Sequence, residues 1–192
     1  PIVTIASEYI LDSNLSHTTN TVMDGMDDAS VFEIRYSNWS GTDDINFIGF
    51  TVQNGKASSY PGGGGFSLRD SYVNFEHMVI SNNSSGQNGG GVSTHYGSTK
   101  FNNTVIENNY SSGSGGGLFI EYQNEGIFAT GDTGLVVTSN YSNGNGGGIY
   151  LSQYGTSTLQ GFDNIDVSSN ISDNNGGGIF INVWSNIEFK IS

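Results

Sequence analysis

The sequence predicts an all-β fold, a single-stranded parallel β-helix (a solenoid) of about six to seven coils, each adding one strand spacing of ~4.8 Å along the axis. One motif recurs at residues 80–92, 106–118, 137–149 and 167–179. It reads as an aliphatic residue, an Asn three positions later, and a glycine triplet followed by an apolar residue. The copies begin 26, 31 and 30 residues apart, whereas the spacing inside each copy is constant. A fixed core joined by loops of variable length is typical of a solenoid.

The residues after each glycine triplet alternate as strand residues do. Ile149-Tyr-Leu151 and Ile179-Phe-Ile181, for example, carry aliphatic residues at every second position. This alternation indicates strands with one buried and one exposed face. Because no stretch shows a 3.6-residue period with caps, we expect a helix content near zero.

Each part of the motif has a structural role in such a coil. The leading aliphatic residues predict an inward ladder of Ile80, Ile106, Val137 and Val167. The Asn residues predict a second ladder, hydrogen-bonded along the axis through their amides, made of Asn83, Asn109, Asn140 and Asn170. Asn also tolerates the left-handed backbone of a tight turn, and glycine lets the chain approach itself at a corner.

The domain organisation follows from the regularity of the repeat. We expect one β-helix domain over residues 1–192, with irregular first coils in 1–44 and regular repeats in 45–192. The last residues still alternate like a strand, and no amphipathic helix caps the rod. Uncapped coils expose unpaired backbone edges. We therefore expect the segment to belong to a longer chain, or to a fibre of copies stacked end to end.

Composition limits the classes of partner. The formal net charge is −13, with 5 Lys and Arg against 18 Asp and Glu, which argues against nucleic acid and anionic membranes because phosphate binding needs clustered cations. No segment is long and apolar enough for membrane insertion. Without cysteine, disulfides and thiolate metal sites are excluded. An acidic, lysine-poor exterior favours an extracellular or cell-surface protein.

Counting outward from each glycine triplet gives two columns on one sheet. The first is Glu33, Ser67, Ser93, Phe119, Tyr150 and Phe180, and the second is Arg35, Arg69, His95, Glu121, Ser152 and Asn182. Both arginines of the chain fall in the second column, beside a histidine and a glutamate. The aromatic rings Phe119, Tyr150 and Phe180 offer platforms for sugars, and arginine binds uronate carboxylates through two hydrogen bonds. The candidate ligand-binding residues are therefore Arg35, Arg69, His95, Glu121, Phe119, Tyr150 and Phe180.

Two readings of these columns remain open. In the first, the aromatic residues stack between coils and the charged residues are solvated, so the protein has no catalytic activity. In the second, the face binds an acidic glycan or acts as a polysaccharide lyase. Arg69 would then neutralise a carboxylate, and His95, Tyr96 or Tyr122 would move the proton.

A metal site has weaker support. Asp24, Asp27, Asp28, Asp43 and Asp44 offer the oxygen ligands on turns that calcium prefers. Neither an EF-hand loop nor the Gly-Gly-x-Gly-x-Asp nonapeptide is present. The three histidines share no spacing that indicates zinc. We expect no cofactor, with calcium as the one candidate.

The motif resembles a known group of repeats. An Asn three residues after an apolar residue, followed by Gly-Gly-Gly-apolar, is similar to the repeats of chlamydial polymorphic membrane proteins. Related repeats occur in pectin-lyase-like bacterial surface and secreted proteins. The resemblance implies a right-handed coil and an extracellular role as an adhesin, a passenger stalk or a fibre scaffold. The implied partners are glycans or further copies of the chain.

Overall fold

The computed structural model describes residues 2–35, 44–153, 157–160, 164–183 and 187–190. It confirms the predicted all-β parallel solenoid, with about five turns, slightly fewer than expected. The elements in chain order are β1 (Val3–Ala6), α1 (Tyr9–Asp12), α2 (Ser16–Asn20), β2 (Val22–Asp24), β3 (Phe32–Arg35), β4 (Ile45–Ile48), β5 (Thr51–Gln53), β6 (Lys56–Ala57), β7 (Phe66–Glu76), β8 (Val79–Ser81), β9 (Ser84–Ser85), β10 (Val92–Glu107), β11 (Tyr110–Ser111), β12 (Leu118–Thr138), β13 (Tyr141–Ser142), β14 (Ile149–Gln153), β15 (Ser157–Gln160), β16 (Ile165–Ser168), β17 (Ile171–Ser172), β18 (Ile179–Val183) and β19 (Ile187–Lys190).

Strands pair in parallel with strands one coil away. The largest sheet has 12 strands and follows the order β1-β4-β7-β10-β12-β14-β18 along its main path. A second sheet of five strands has the order β17-β13-β11-β9-β6. The long strand β10 pairs with β7 through its first part and with β8 through its last part, so one strand turns from one face of the rod to the next.

Apolar side chains fill the interior in ladders, as the motif predicts. Ile80 pairs in register with Ile106, Ile106 with Val137, and Val137 with Val167. The first three are fully buried. In the N-terminal coils the core is aromatic instead. Phenylalanine rings stack there from coil to coil, as Phe75 does on Phe101 with centroids 5.3 Å apart. Each buried side chain contributes about 1.5–3 kcal/mol.

The four Asn residues of the motif form a continuous hydrogen-bonded stack. Asn109 Nδ2 donates to Asn140 Oδ1 (3.0 Å) and to the carbonyl of Ile80 (3.0 Å). Asn109 Oδ1 accepts from Asn83 through both the Nδ2 (3.1 Å) and the backbone N–H (2.9 Å). Asn140 donates to Asn170 in the same way. These amides therefore join successive coils and satisfy buried backbone groups that lack strand partners.

The left-handed turn residue is not the ladder Asn, contrary to the expectation. Instead, the residue before it takes positive φ in every copy: Asn82 (56°), Asn108 (55°), Ser139 (56°) and Ser169 (56°). The ladder Asn needs its side chain turned inward to bond the neighbouring coils. The turn itself is made one residue earlier, by small polar residues that tolerate this conformation.

The glycines of each triplet have separate roles. The first takes positive φ, as Gly89 (61°) and Gly115 (68°) do. The second lies against the next coil: a Cβ on Gly116 would stand 2.3 Å from the Gly147 carbonyl oxygen and 2.5 Å from that of Tyr141. Any side chain there would push the coils apart. The corner therefore needs glycine for both backbone conformation and close approach.

The expectation of almost no helix is wrong for the first coil, where α1 and α2 have four and five residues. Helices this short show no 3.6-residue period, and local bonds support them. The Asp12 carboxylate accepts from the Asn14 N–H, and the Asn14 side chain accepts from the Ser16 N–H. Within the described ranges, no helix is long and apolar enough to cross a membrane.

We predict that Asn109→Ala destabilises the rod by about 3 kcal/mol or more, because it removes four hydrogen bonds and leaves buried donors and acceptors unpaired. The matched control is Asn143→Ala, since exposed Asn143 makes one side-chain bond, to the Tyr110 hydroxyl. Urea unfolding followed by circular dichroism measures both free energies of unfolding. Equal losses in the two variants would show that the ladder does not stabilise the coil.

Candidate functional site

The register aligns the two columns across six successive strands, β3, β7, β10, β12, β14 and β18. In the first column, Glu33 pairs with Ser67, Ser67 with Ser93, Ser93 with Phe119, Phe119 with Tyr150, and Tyr150 with Phe180. In the second column, Arg35 pairs with Arg69, Arg69 with His95, His95 with Glu121, Glu121 with Ser152, and Ser152 with Asn182. The structure thus brings Arg69, His95 and Glu121 together on successive coils.

Tyr60 closes a polar triangle over this column. Its hydroxyl donates to Glu121 Oε2 (3.0 Å) and lies 2.9 Å from His95 Nδ1. His95 Nδ1 lies 2.8 Å from the same carboxylate oxygen. With Glu121 accepting from Nδ1–H, the other ring nitrogen of His95, Nε2, remains as the acceptor. A carboxylate thus orients the imidazole, as in many acid–base sites.

The segment that carries Tyr60 covers part of the column. Residues 58–62, which we call the strap, link β6 to the glycine corner before β7. The carbonyl of Pro61 accepts from the Ser93 hydroxyl (3.1 Å). Beneath the strap, Ser93 is fully buried and His95 is only 8% exposed. The expectation that these outward positions are solvent-exposed is therefore wrong, because a non-repeating loop folds back over them.

Two tyrosines line the other side of His95. The rings of Tyr96 and Tyr122 stack 5.1 Å apart, and their centroids lie 4.5 and 5.4 Å from that of His95. Both have left-handed backbones, with φ of 59° and 56°. Asp70, which occupies the same turn position one coil earlier, also has a left-handed backbone (φ 49°). Tyr96 is 42% exposed.

The two arginines differ in their partners. Arg35 forms an ion pair with Glu33 on its own strand, at a half-exposed position. Arg69 is half-buried, and within the part of the chain that the structure describes its guanidinium makes no hydrogen bond or ion pair. Its positive charge lies close enough to Tyr60 to oppose part of the rise in the pKa of that residue. Arg69 is therefore the cation of the column that is available to an anionic ligand.

The site changes the acidity of Tyr60. Burial raises the pKa of its hydroxyl to about 12, and the negative charge and hydrogen bond of Glu121 add to the effect. The Arg69 guanidinium opposes it. Tyr60 is therefore a neutral hydrogen-bond donor at physiological pH.

The aromatic residues of the first column do not form an open platform. Phe119 stacks on Tyr150 (5.0 Å, 8°) and Tyr150 on Phe180 (5.5 Å, 18°), so the ring faces cover one another along the axis. Phe119 is only 4% exposed. This stacking is what the first of the two readings expects, in which the aromatic residues contact each other between coils.

The calcium candidates carry no metal cluster. Asp24 accepts from the Met26 N–H, Gln53 Nε2 and Asn54 Nδ2, and these bonds lower the pKa of its carboxyl group. Asp44 accepts from Asn74 Nδ2 (3.0 Å). Asp27 and Asp28 lie in the turn after β2, and Asp43 lies outside the described residues. Among described residues, no group of three His, Asp or Glu side chains could hold a metal ion.

Sequence reasoning missed Tyr60 and underestimated the tyrosine pair. The repeat predicts positions in the column but not a residue from a distant loop. One signal was present: the unit containing Tyr60 has a longer loop between its second strand and its glycines than the other units. An insertion of this kind is where a solenoid can cover its own face.

The stacked parallel strands, the amide ladder and the glycine corners define a β-solenoid. A family model described as "Right handed beta helix region" matches residues 34–192, and the chain belongs to this family. The match also supports the right-handed coil that the resemblance implied. Neither a curated protein nor a solved structure matches the chain.

We predict that Tyr60 titrates at about pH 12 and that this affects stability at high pH. The folded state favours the neutral hydroxyl, so its contribution to stability is complete below the ordinary pKa of 10 and is lost as the pH rises through about 12. Tyr60→Phe should therefore lose less stability than the wild type between these pH values. Urea unfolding across this range measures the difference, and absorbance titration should lose one late tyrosinate step.

Proposed function

We propose that this chain is an extracellular structural or adhesive β-helix without catalytic activity. The observation that carries the proposal is that the repeated residues of the motif hold successive coils together. The motif's Asn side chains hydrogen-bond coil to coil, and its glycines make room for the next coil. What the sequence repeats is therefore a stiff backbone, and a stiff rod is suited to holding a surface away from its anchor.

The outer surface supports the adhesive part of the proposal. Tyr110 and Tyr141 stack on the second sheet with centroids 5.8 Å apart, and Tyr110 is 38% exposed. Their hydroxyls bond Asn143 and Asp173. Tyrosine is enriched at binding surfaces because it combines apolar area with a hydrogen-bonding end. The net charge of −13 keeps such a surface soluble.

Localisation and adhesion test this proposal. We expect antibody to label the protein on intact cells, and added protease to remove it while intracellular markers survive. Deleting the gene should lower adhesion of the cells to a surface several-fold, and wild-type protein should restore it. The Tyr110→Ala/Tyr141→Ala variant should fold but restore less adhesion. A protein found only inside cells would contradict the proposal.

A second candidate function is binding of an acidic glycan at Arg69, His95 and the tyrosine pair. Arg69 supports it because its guanidinium is unpaired among the described residues. Tyr96, which is 42% exposed, would offer part of its ring to a sugar beside Arg69. In a lyase-like version, Arg69 would neutralise a uronate carboxylate. His95 Nε2 would accept the proton from the carbon that bears this carboxylate, and neutral Tyr60 would protonate the leaving oxygen.

We predict for this candidate that Arg69→Ala weakens binding of an oligo-uronate about 10- to 100-fold, the effect of losing a charge-assisted bidentate bond of about 1.5–3 kcal/mol. Arg35→Ala is the matched control, since Arg35 already pairs with Glu33. It should change the affinity less than about twofold. Isothermal titration calorimetry with uronate and neutral oligosaccharides measures both variants.

The same titrations separate the two functions. Absence of uronate binding in the wild type would eliminate the glycan candidate and leave the adhesive proposal. Incubation with alginate, pectin and polygalacturonate tests catalysis through the ultraviolet absorbance of unsaturated products. Product that forms with the wild type and is lost in Arg69→Ala would overturn the proposal of a non-catalytic rod.

A further inference from the structure

A cavity of about 390 Å³ lies on a different part of the rod from the Arg69 column. It is bounded by two places where the described chain departs from its repeat. On one side is α2, with Leu15 just before it and Thr18 within it. On the other side is an insertion in β12: residues 131–134 lie opposite the single residue Asn103 of β10. A regular coil has no such concavity, so the cavity depends on both departures.

The insertion is held in a defined conformation. The backbone N–H and the hydroxyl of Thr133 both donate to Asn103 Oδ1, at 2.9 and 3.1 Å. Asn103 Nδ2 lies 3.4 Å from His77 Nε2, and the His77 ring lies 4.6 Å from that of Tyr9. The cavity edge is therefore fixed by hydrogen bonds that link three coils. This arrangement suits a preformed binding site.

The floor of the cavity is apolar. Met78 is buried at its base, and Val79 and Val105 pair in register beside it. Leu15 stands over the cavity and is 60% exposed. A cavity of this size with apolar walls fits a small organic molecule whose body is hydrocarbon.

The rim is acidic. Asp132 lines it, is exposed, and makes no hydrogen bond or ion pair among the described residues. Among the described residues that line the cavity there is no lysine or arginine, and His77 is the one basic side chain. Glu8 and Asp12 belong to the adjoining helical segment, and the whole chain carries a net charge of −13. A carboxylate in this field attracts a cation and repels an anion.

One wall also contains an unused polar atom. Thr18 is only 6% exposed, and its hydroxyl oxygen is buried without a hydrogen-bond partner. A buried unpaired hydroxyl costs about 1–3 kcal/mol. Rotation about its side-chain bond towards the cavity would let it accept an N–H from a bound ligand. This observation is independent of the charge on the rim.

We propose that this cavity binds a small organic amine, with its apolar body against Met78, Val79 and Val105 and its ammonium group at Asp132. Neither function proposed above requires this site. The apolar floor selects a hydrocarbon body, and the acidic rim selects a positive charge over a neutral or negative head group.

Three probes of equal chain length test the proposal: hexylamine, hexan-1-ol and hexanoate. Binding is followed by nuclear magnetic resonance of the methionine methyl groups, of which the chain has three. Met78→Leu assigns the signal of the cavity floor. We expect a saturable shift of the Met78 methyl with hexylamine, at an affinity about two- to fivefold above that of hexan-1-ol and without measurable binding of hexanoate.

Variants separate the two parts of the site. Asp132→Asn should reduce the affinity for hexylamine to that for hexan-1-ol, whereas Asp166→Asn, at an exposed position outside the cavity, should leave it unchanged. Leu15→Ala removes an exposed side chain and should weaken both ligands alike. The proposal is overturned if hexylamine gives no saturable Met78 shift, if hexanoate binds equally well, or if Asp132→Asn has no effect.

Discussion

The coil-to-coil register is the constraint on which the rest of this structure depends. The inner ladder residues bond the coil before them and the coil after them, as Asn109 does with Asn83 and Asn140. At the adjoining corner, Gly116 leaves no room for a Cβ against the next coil. A shift of one residue would break the amide ladder, force a side chain into this corner and turn the core residues outward. One register therefore satisfies all three requirements.

This constraint explains what the sequence could and could not predict. Residues at a fixed distance from each glycine triplet must stack, so the alignment of Arg69, His95 and Glu121 was predictable from spacing alone. Their burial was not, because it depends on Tyr60, which lies outside the repeat. The position of Asp132 could not be predicted for the same reason. Ala129 pairs with Phe101, and Asp132 lies in the insertion that follows, which the repeat does not contain.

The departures from the repeat are also where concave and polar sites occur. A parallel solenoid presents faces that are nearly flat, and a ligand site needs concavity. Here the strap around Tyr60 covers one column, and the insertion at residues 131–134 meets α2 to enclose a cavity. The regular coils supply the rigid support, and the irregular segments supply shape and chemistry.

The tyrosine pair beside His95 occupies a turn whose backbone geometry does not require tyrosine. Tyr96 and Tyr122 hold left-handed backbones, which cost roughly 1–2 kcal/mol for a residue of this size. At the Asn-ladder turn the chain meets the same need with Asn82, Asn108, Ser139 and Ser169, at lower strain. Since Asn or Gly would make the turn after His95 equally well, turn geometry does not account for tyrosine there. The contacts of the rings with each other and with the imidazole account for tyrosine at this turn.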